Sequence, residues 1–260
     1  MTTTTSTCRR SCATEFRRPA SPRYWDTVSF KIRRVTTTRA GGASSAPFDT
    51  FNMGDHVGDD PDAVAANRRR LAEKIGLTDR IVWMHQVHGD RVVAVDGPGP
   101  TIDNADGLVT TKPRLALAVV TADCVPVLMA DARAGVVAAV HAGRVGAQHG
   151  VVIRGVEEML RAGAHAEDIS VLLGPSASGR NYEVPAAMAA DVEAALPGSR
   201  TKTSAGTDGL DLRAGITRQL KELGVVSIAV DPRCTIEDDA LFSHRRGAPT
   251  GRLASLVWME

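Results

Sequence analysis

Three apolar runs, Leu115–Val120, Val125–Ala130 and Val136–Val140, follow one another with only short breaks between them. A strand covered on one face alternates apolar and polar residues; a run that is apolar at nearly every position belongs to a strand covered on both faces. These three runs are therefore expected at the centre of a sheet, and the remaining elements must supply layers on either side.

The flanking sequence predicts what those layers contain. Val28–Thr38 is a β-branched run broken by Gly41-Gly42-Ala43-Ser44-Ser45. Asp60 before Pro61 reads as an N-cap with proline in the first helical turn, opening a helix over Asp62–Ile75 that Gly76 closes. Further strands are expected at Arg80–Met84, Arg91–Val95, Ile169–Leu173, Val225–Val230 and Leu253–Trp258. Helices are expected at Gly150–Ala162, with Val151, Val152, Val156, Met159 and Leu160 facing the core, at Pro185–Leu196 and at Leu212–Leu223. No repeat interrupts this order, and helices and strands do not alternate strictly. The class expected is α+β or mixed α/β, in a single domain over residues 28–260.

Composition narrows the function. Lys and Arg number 31 against 30 Asp and Glu, so no global field favours nucleic acid or an anionic membrane. No apolar stretch approaches the roughly 20 residues that span a bilayer, and no secretory h-region is present. The reading is a cytoplasmic protein whose partner is a small molecule, with nothing that specifies an oligomeric state. Residues 1–27, rich in Arg, Ser and Thr, read as a disordered leader rather than a transit peptide. The four cysteines make no disulfide framework at this length, which leaves Cys124 as a free thiol or a ligand.

Chemistry is expected where the buried strands end. Thr121-Ala122-Asp123-Cys124-Val125-Pro126 and His141-Ala142-Gly143 put a thiol and an imidazole at such ends, and Trp83-Met84-His85-Gln86-Val87-His88-Gly89 brings two more histidines. One Cys and two His would give a zinc ion three ligands and an open fourth position. A Cys nucleophile with a His base uses the same residues. Taken singly, each has an ordinary structural reading: a hydrogen-bonded imidazole, or a cysteine acting as a small buried apolar residue. The joint placement favours function, with Asp123 beside Cys124 able to orient a ligand or carry a proton.

A series of short runs in one order resembles the YfiH family. They include Thr37-Thr38-Arg39-Ala40-Gly41-Gly42, Val57-Gly58-Asp59-Asp60-Pro61, Gln86-Val87-His88-Gly89, Ala105-Asp106-Gly107-Leu108-Val109, Ala122-Asp123-Cys124, His141-Ala142-Gly143, Tyr182-Glu183-Val184 and Thr250-Gly251-Arg252, and the likeness spans about residues 33–260. Members of that family have been called multicopper polyphenol oxidases, peptidoglycan editing factors and purine nucleoside phosphorylases. The resemblance implies an α+β fold of mixed sheets layered with helices, related to the catalytic domain of a bacterial cytotoxic necrotizing factor, and a zinc site of His88, Cys124 and His141. It also implies phosphorolysis of adenosine, inosine and methylthioadenosine to the base and ribose 1-phosphate, with adenosine deamination alongside. Cys124, Asp123 and His141 would be catalytic.

Phosphorolysis needs an anion clamp, and zinc with an open position can acidify a bound water to a pKa of about 7, which suits attack at purine C6. Arg39, Arg245, Arg246 and Arg252 are candidate phosphate ligands, because guanidinium matches phosphate in a fork. Arg39, Gln86 and Arg246 are the residues assigned to substrate binding.

Three departures from the family pattern stand out: Arg144-Val145-Gly146 where Trp-Arg-Gly is usual, Ser176 after Gly174-Pro175 where Cys is usual, and His244 in place of Tyr. Rival readings are a metal-free Cys-His hydrolase and an amidase that edits peptidoglycan precursors. A multicopper oxidase would need about ten His and Cys ligands, against seven scattered histidines here, so copper belongs to the family's name only. A purely structural zinc would need a fourth ligand, for which His85 and Asp123 are the candidates.

Overall fold

The computed structural model describes residues 29–260; the leader expected at residues 1–27 lies outside them. In chain order the elements are β1 (Ile32–Thr36), α1 (Pro61–Ile75), β2 (Ile81–Val82), β3 (Val92–Ala94), β4 (Gly107–Thr110), β5 (Ala116–Thr121), β6 (Val125–Asp131) and β7 (Val136–Ala142). They continue as α2 (Arg144–Gln148), α3 (Val151–Arg161), β8 (Ile169–Leu173), α4 (Ala186–Ala195), β9 (Arg200–Lys202), β10 (Asp208–Leu210), α5 (Leu212–Glu222), β11 (Ser227–Val230) and β12 (Leu253–Met259). One mixed sheet has the order β11-β8-β6-β7-β4-β3, a second β1-β12-β5-β2, and β9 and β10 form a small ribbon. The fold is α+β, one of the two classes its sequence pattern allows and the one the family resemblance implies.

Strand parity explains the layering. On β6 and β7, Val127, Met129, Ala138 and Val140 join the cluster that contains Val152, Val156 and Met159 of α3 and Ile216 and Leu220 of α5. The alternate residues, Leu128, Ala130, Val137 and Ala139, pack against Leu117 and Val119 of β5 and Val257 and Met259 of β12. The other face of that second sheet, through Ala116, Ala118, Leu256 and Trp258, meets Leu71 of α1 and Leu77 just beyond it. The result is helix, sheet, sheet, helix. The central runs are apolar at every position because each has a sheet on one side and a helix on the other.

Local chemistry sets the helix ends. Asp60 caps α1 by accepting from the N–H of Asp62, and Gly76 ends it at φ 68°, the left-handed conformation that glycine adopts without strain. On α3, Val151, Val152, Val156 and Met159 are buried as expected, but Leu160 is 43% exposed. Residue 160 lies one 100° step past Met159, off the apolar stripe. Gly155 marks the close approach of α3 to the sheet, since a β-carbon there would stand 2.7 Å from Met129 Cε and 2.8 Å from Val140 Cγ2. Strand β4 is a further difference: four buried residues opening on a glycine give too little pattern to read as a strand, yet they pair with β7 next to the site.

Leu128 is fully buried between the two sheets. Leu128→Ala should destabilise the fold by about 2–5 kcal/mol, the range for deleting a buried leucine side chain in a rigid core. Urea unfolding measures this, and a loss below about 1 kcal/mol would contradict the double coverage of β6.

Candidate active site

β6 and β7 pair antiparallel with Pro126 opposite His141. Cys124, just ahead of β6, therefore stands at the sheet end to which β7 delivers His141. His141 has the parity of Val137 and Ala139, points between the two sheets, and is 2% exposed. Gly107 of β4 lies opposite Val140, which brings Asp106 to His141. The two meet twice: the His141 N–H donates to the Asp106 carbonyl at 2.7 Å, and His141 Nδ1 lies 2.8 Å from Asp106 Oδ1.

The Asp106 carboxylate has more partners. It accepts the backbone N–H groups of Val87 at 3.1 Å, His88 at 3.0 Å and Gly89 at 2.7 Å. These bonds hold His88 at φ 59°, a conformation that side-chain-bearing residues seldom adopt. His88 is thereby turned toward Cys124, with Nε2 3.8 Å from Sγ, and its ring meets that of His141 edge-on at 4.8 Å. Gly143 completes the packing, because a β-carbon at that position would come within 2.6 Å of His88 Cδ2 and 3.1 Å of Cys124 Sγ.

The donor atoms of His88, Cys124 and His141 all lie within 4.8 Å of one another, and no other set among the described residues converges in this way. A tetrahedral zinc ion holds sulfur and nitrogen donors roughly 3.5 Å apart. Two imidazoles and a thiolate also form a donor set of the right softness for a late first-row ion. Because Asp106 takes His141 Nδ1, Nε2 is left for the metal, the usual arrangement of a carboxylate behind a ligating histidine. The residues fit a three-coordinate protein site. Neither candidate for a fourth ligand joins it. His85 Nδ1 contacts Asp103 Oδ1 at 2.7 Å on the surface, and Asp123 uses Oδ1 on Thr235 Oγ1 at 2.6 Å and Oδ2 on the Arg245 N–H at 2.7 Å.

Charge couples the three groups. Burial opposes a Cys124 thiolate, but the charge and hydrogen bond of His141, aided by His88, outweigh it and bring the thiol down to about 6. Burial likewise opposes the His141 imidazolium, but Cys124 and Asp106 outweigh it and raise His141 to about 9. Asp106 is held below the usual carboxylate range: burial acts against its charge, and the His141 ring and the Gly89 and Val87 N–H groups more than compensate.

This cluster borders a cavity of about 300 Å³ whose wall also includes Gln86, Thr121, Asp123, Arg144, Tyr182, Arg245, Arg252, His56 and His244. Gln86 spans the sheet end, donating from Nε2 to the Val120 carbonyl and accepting the Val120 N–H on Oε1, both at 2.8 Å. The Thr121 hydroxyl is buried and has no hydrogen-bond partner among the described residues. The segment after Gly143 is helical, so the one-residue displacement of the family arginine rotates the side chain by about 100° rather than to the opposite face. Arg144 lines the cavity.

Arg144, Arg245 and Arg252 bring three guanidiniums to this wall. Their side chains donate to Gln148 Oε1, to the Glu183 carbonyl, and to the Thr250 and Gly251 carbonyls respectively. None forms an ion pair with a carboxylate among the described residues. The structure does not bring Arg39 or Arg246 to the cavity. Arg39 is paired with Asp49 at 3.0 Å and lies over the Phe242 ring, and Arg246 is wrapped in the carbonyls of Thr235, Asp238 and Leu241. Their guanidiniums hold loops together, and neither side chain lines the cavity. Asp106, His56, Thr121 and Tyr182 were not singled out as site residues by the sequence. Only Asp106 left a signal, as a lone acid inside the apolar stretch Ala105–Val109, where a buried carboxylate requires partners. A wider groove of about 710 Å³ between α5 and β11 shares no residue with the site.

Fold and site together define a mixed-sheet sandwich with a His-Cys-His donor cluster and a cationic wall at one sheet end. The chain belongs to the multi-copper polyphenol oxidoreductase laccase family, the YfiH-like family, whose sequence profile matches residues 33–260. It is 74% identical over 235 residues, 90% of this chain and 94% of the relative, to a protein of Mycobacterium tuberculosis named purine nucleoside phosphorylase. A protein of Corynebacterium glutamicum with the same name is 56% identical over 232 residues, 88% of this chain and 94% of that one. Among solved structures, YlmD from Geobacillus stearothermophilus superposes with a TM-score of 0.83 at 34% identity, covering 88% of this chain and 92% of that one. The YfiH protein of Bacillus licheniformis also gives 0.83, at 29% identity over 93% of this chain and all of the other.

Two predictions follow from the coupled charges. In metal-free protein the thiolate should be present above about pH 6 and lost as pH falls through that value, with the His141 imidazolium lost only as pH rises through about 9. Thiolate ultraviolet absorbance against pH reports this; a midpoint in the ordinary thiol range would contradict the coupling. Asp106→Asn should weaken metal affinity by about 10–100-fold, the typical effect of losing the group behind a histidine ligand. Chelator competition measures it, and unchanged affinity would remove Asp106 from that role.

Proposed function

We propose that this protein is a zinc-dependent purine nucleoside phosphorylase that converts adenosine, inosine or methylthioadenosine to free base and ribose 1-phosphate, with adenosine deamination as a side activity. The observation that carries this reading is the meeting of a three-donor cluster and three guanidiniums without carboxylate partners in one cavity of about 300 Å³. A small cavity with that excess of positive charge suits an anion, and phosphate is the anion of phosphorolysis. The names of relatives at up to 74% identity support the same reading.

His88, Cys124 and His141 would hold the ion, which when bound supplies a Lewis acid at the cavity wall. Arg144, Arg245 and Arg252 would bind phosphate through forked hydrogen bonds and keep its charge close to the ribose, where positive charge develops as the base departs. Arg245 is set for this by Asp123, which fixes its backbone, and by the Tyr182 ring beneath its guanidinium at 5.0 Å. Gln86 has both ends of its amide on Val120 and so shapes the wall instead of reaching into it.

The donor set bears on the choice of ion. Blue-copper centres also use His₂Cys, but with a weak axial Met, Gln or backbone oxygen. Among the described residues no methionine borders this cavity, Gln86 is committed, and of the five histidines outside the cluster only His56 and His244 touch it. A three-donor set with an open fourth position suits zinc.

A second reading is favoured by one feature. Asp106, His141 and Cys124 stand in the order of orienting acid, base and nucleophile, and the lowered thiol suits a metal-free cysteine hydrolase, of which an amidase acting on peptidoglycan precursors is one form. Metal removal separates the two.

Arg252→Lys and Arg245→Lys, assayed with zinc loaded, should each raise the KM for phosphate about tenfold or more, the loss of roughly 1.4 kcal/mol when a bidentate contact becomes a point charge. Chelation should abolish base release, and zinc should restore it. Unchanged phosphate KM in both variants would clear the arginines of the clamp, and full activity after chelation would favour the cysteine hydrolase.

A further inference from the structure

We infer that His56 is the catalytic proton donor to the departing purine, held for that task by the Asp55–Arg68 pair. The inference rests on the phosphorolysis reading above and extends it to the group that bears the leaving base.

Breaking the C1′–N9 bond leaves its electron pair on the purine, and a proton delivered to N7 makes the base a better leaving group. The metal cluster and the arginines attend to other charges, so a separate acid is required. Four groups on the cavity wall carry a transferable proton or could carry one: Asp123, Tyr182, His244 and His56. Both oxygens of Asp123 already accept hydrogen bonds. The Tyr182 phenol is a weak acid made weaker by burial and by the nearby charge of Cys124. His244 has no carboxylate beside it among the described residues.

His56 does have one. Its Nδ1 lies 3.6 Å from Asp55 Oδ1, which leaves Nε2 for the substrate. The other Asp55 oxygen meets Arg68 Nη1 at 3.1 Å. Arg68 is fixed in turn by two bonds to the Met53 carbonyl, at 3.0 and 2.8 Å, and by the Trp83 ring 4.2 Å beneath it. The loop is anchored to the anion wall as well, since the fully buried Asn52 accepts the N–H groups of both Gly54 and Arg252 on Oδ1, each at 2.8 Å. A β-carbon on Gly54 would come within 2.7 Å of Arg252 Cγ. The segment that carries His56 and the arginine assigned to phosphate are thus built as one unit, a placement a surface histidine does not need. At 52% side-chain exposure, His56 also has water from which to recover its proton.

The step balances. A phosphate oxygen forms the bond to C1′, the C1′–N9 pair passes to the purine, the proton moves from His56 Nε2 to N7, and solvent reprotonates the imidazole. Asp55 acts through His56 and is a positioning residue.

The test compares inosine with an N7-methylated purine nucleoside, whose base leaves without needing a proton. Zinc-loaded parent, His56→Asn and Asp55→Asn are assayed at saturating phosphate. His56→Asn should lower kcat on inosine by about 10²-fold or more, the usual size of general acid catalysis, with KM near the parent's, while kcat on the methylated nucleoside stays close to the parent's. Asp55→Asn should show the same selective loss to a smaller degree. Equal losses on both nucleosides, or no loss on either, would overturn the assignment. Failure of the parent itself to release base from either nucleoside would overturn the phosphorolysis reading, and this inference with it.

Discussion

Everything at the sheet end depends on the Asp106 carboxylate. Buried completely, it would be too costly to keep charged without compensation, because an isolated buried carboxylate loses its hydration with nothing in return. The compensation comes from four donors on two segments: three consecutive backbone N–H groups of Val87–Gly89 and the ring of His141. In satisfying itself, the carboxylate fixes the backbone of one histidine and the tautomer of the other. Cys124 needs only the end of β6 to complete the cluster. One buried charge therefore converts the register of β4 on β7 into the position of the three-donor cluster.

The same economy governs the far side of the cavity. Asn52, also fully buried, uses its amide to join the loop of His56 to the strand start at Arg252. Asp123, at φ 96°, joins Cys124's turn to Thr235 and to the backbone of Arg245. Arg245 and Arg252 are thus held through their backbones by polar contacts, while their guanidiniums meet no carboxylate among the described residues. Where a guanidinium in this protein serves the fold, as in Arg39 and Arg246, it finds a carboxylate or a cage of carbonyls. Arg39 and Arg246 thus stand apart from the arginines that line the cavity, whose side chains meet no carboxylate among the described residues.

The legibility of these features in the sequence follows from their physics. Strands covered on both faces appear as unbroken apolar runs, so β5, β6 and β7 could be read directly as central strands. Helix α1 was legible because its ends carry their own chemistry in Asp60, Pro61 and Gly76. Cys124, His88 and His141 were legible as reactive side chains at the ends of such runs. β4 was not, being short and defined only by pairing with β7, and the role of Asp106 was hidden with it. The arginines could not be sorted at all from sequence, since a long side chain takes its partner from tertiary structure: Asp49 for Arg39, an open cavity for Arg252. Leu160 failed by a single 100° step at the margin of an apolar stripe.

Protein of measured zinc content should be incubated with inosine in the presence and absence of phosphate and the products identified by mass. Zinc-dependent phosphorolysis predicts hypoxanthine and ribose 1-phosphate only when phosphate is present, at one zinc per chain. Base released equally without phosphate, or release that persists at full rate after the metal is removed, would contradict it.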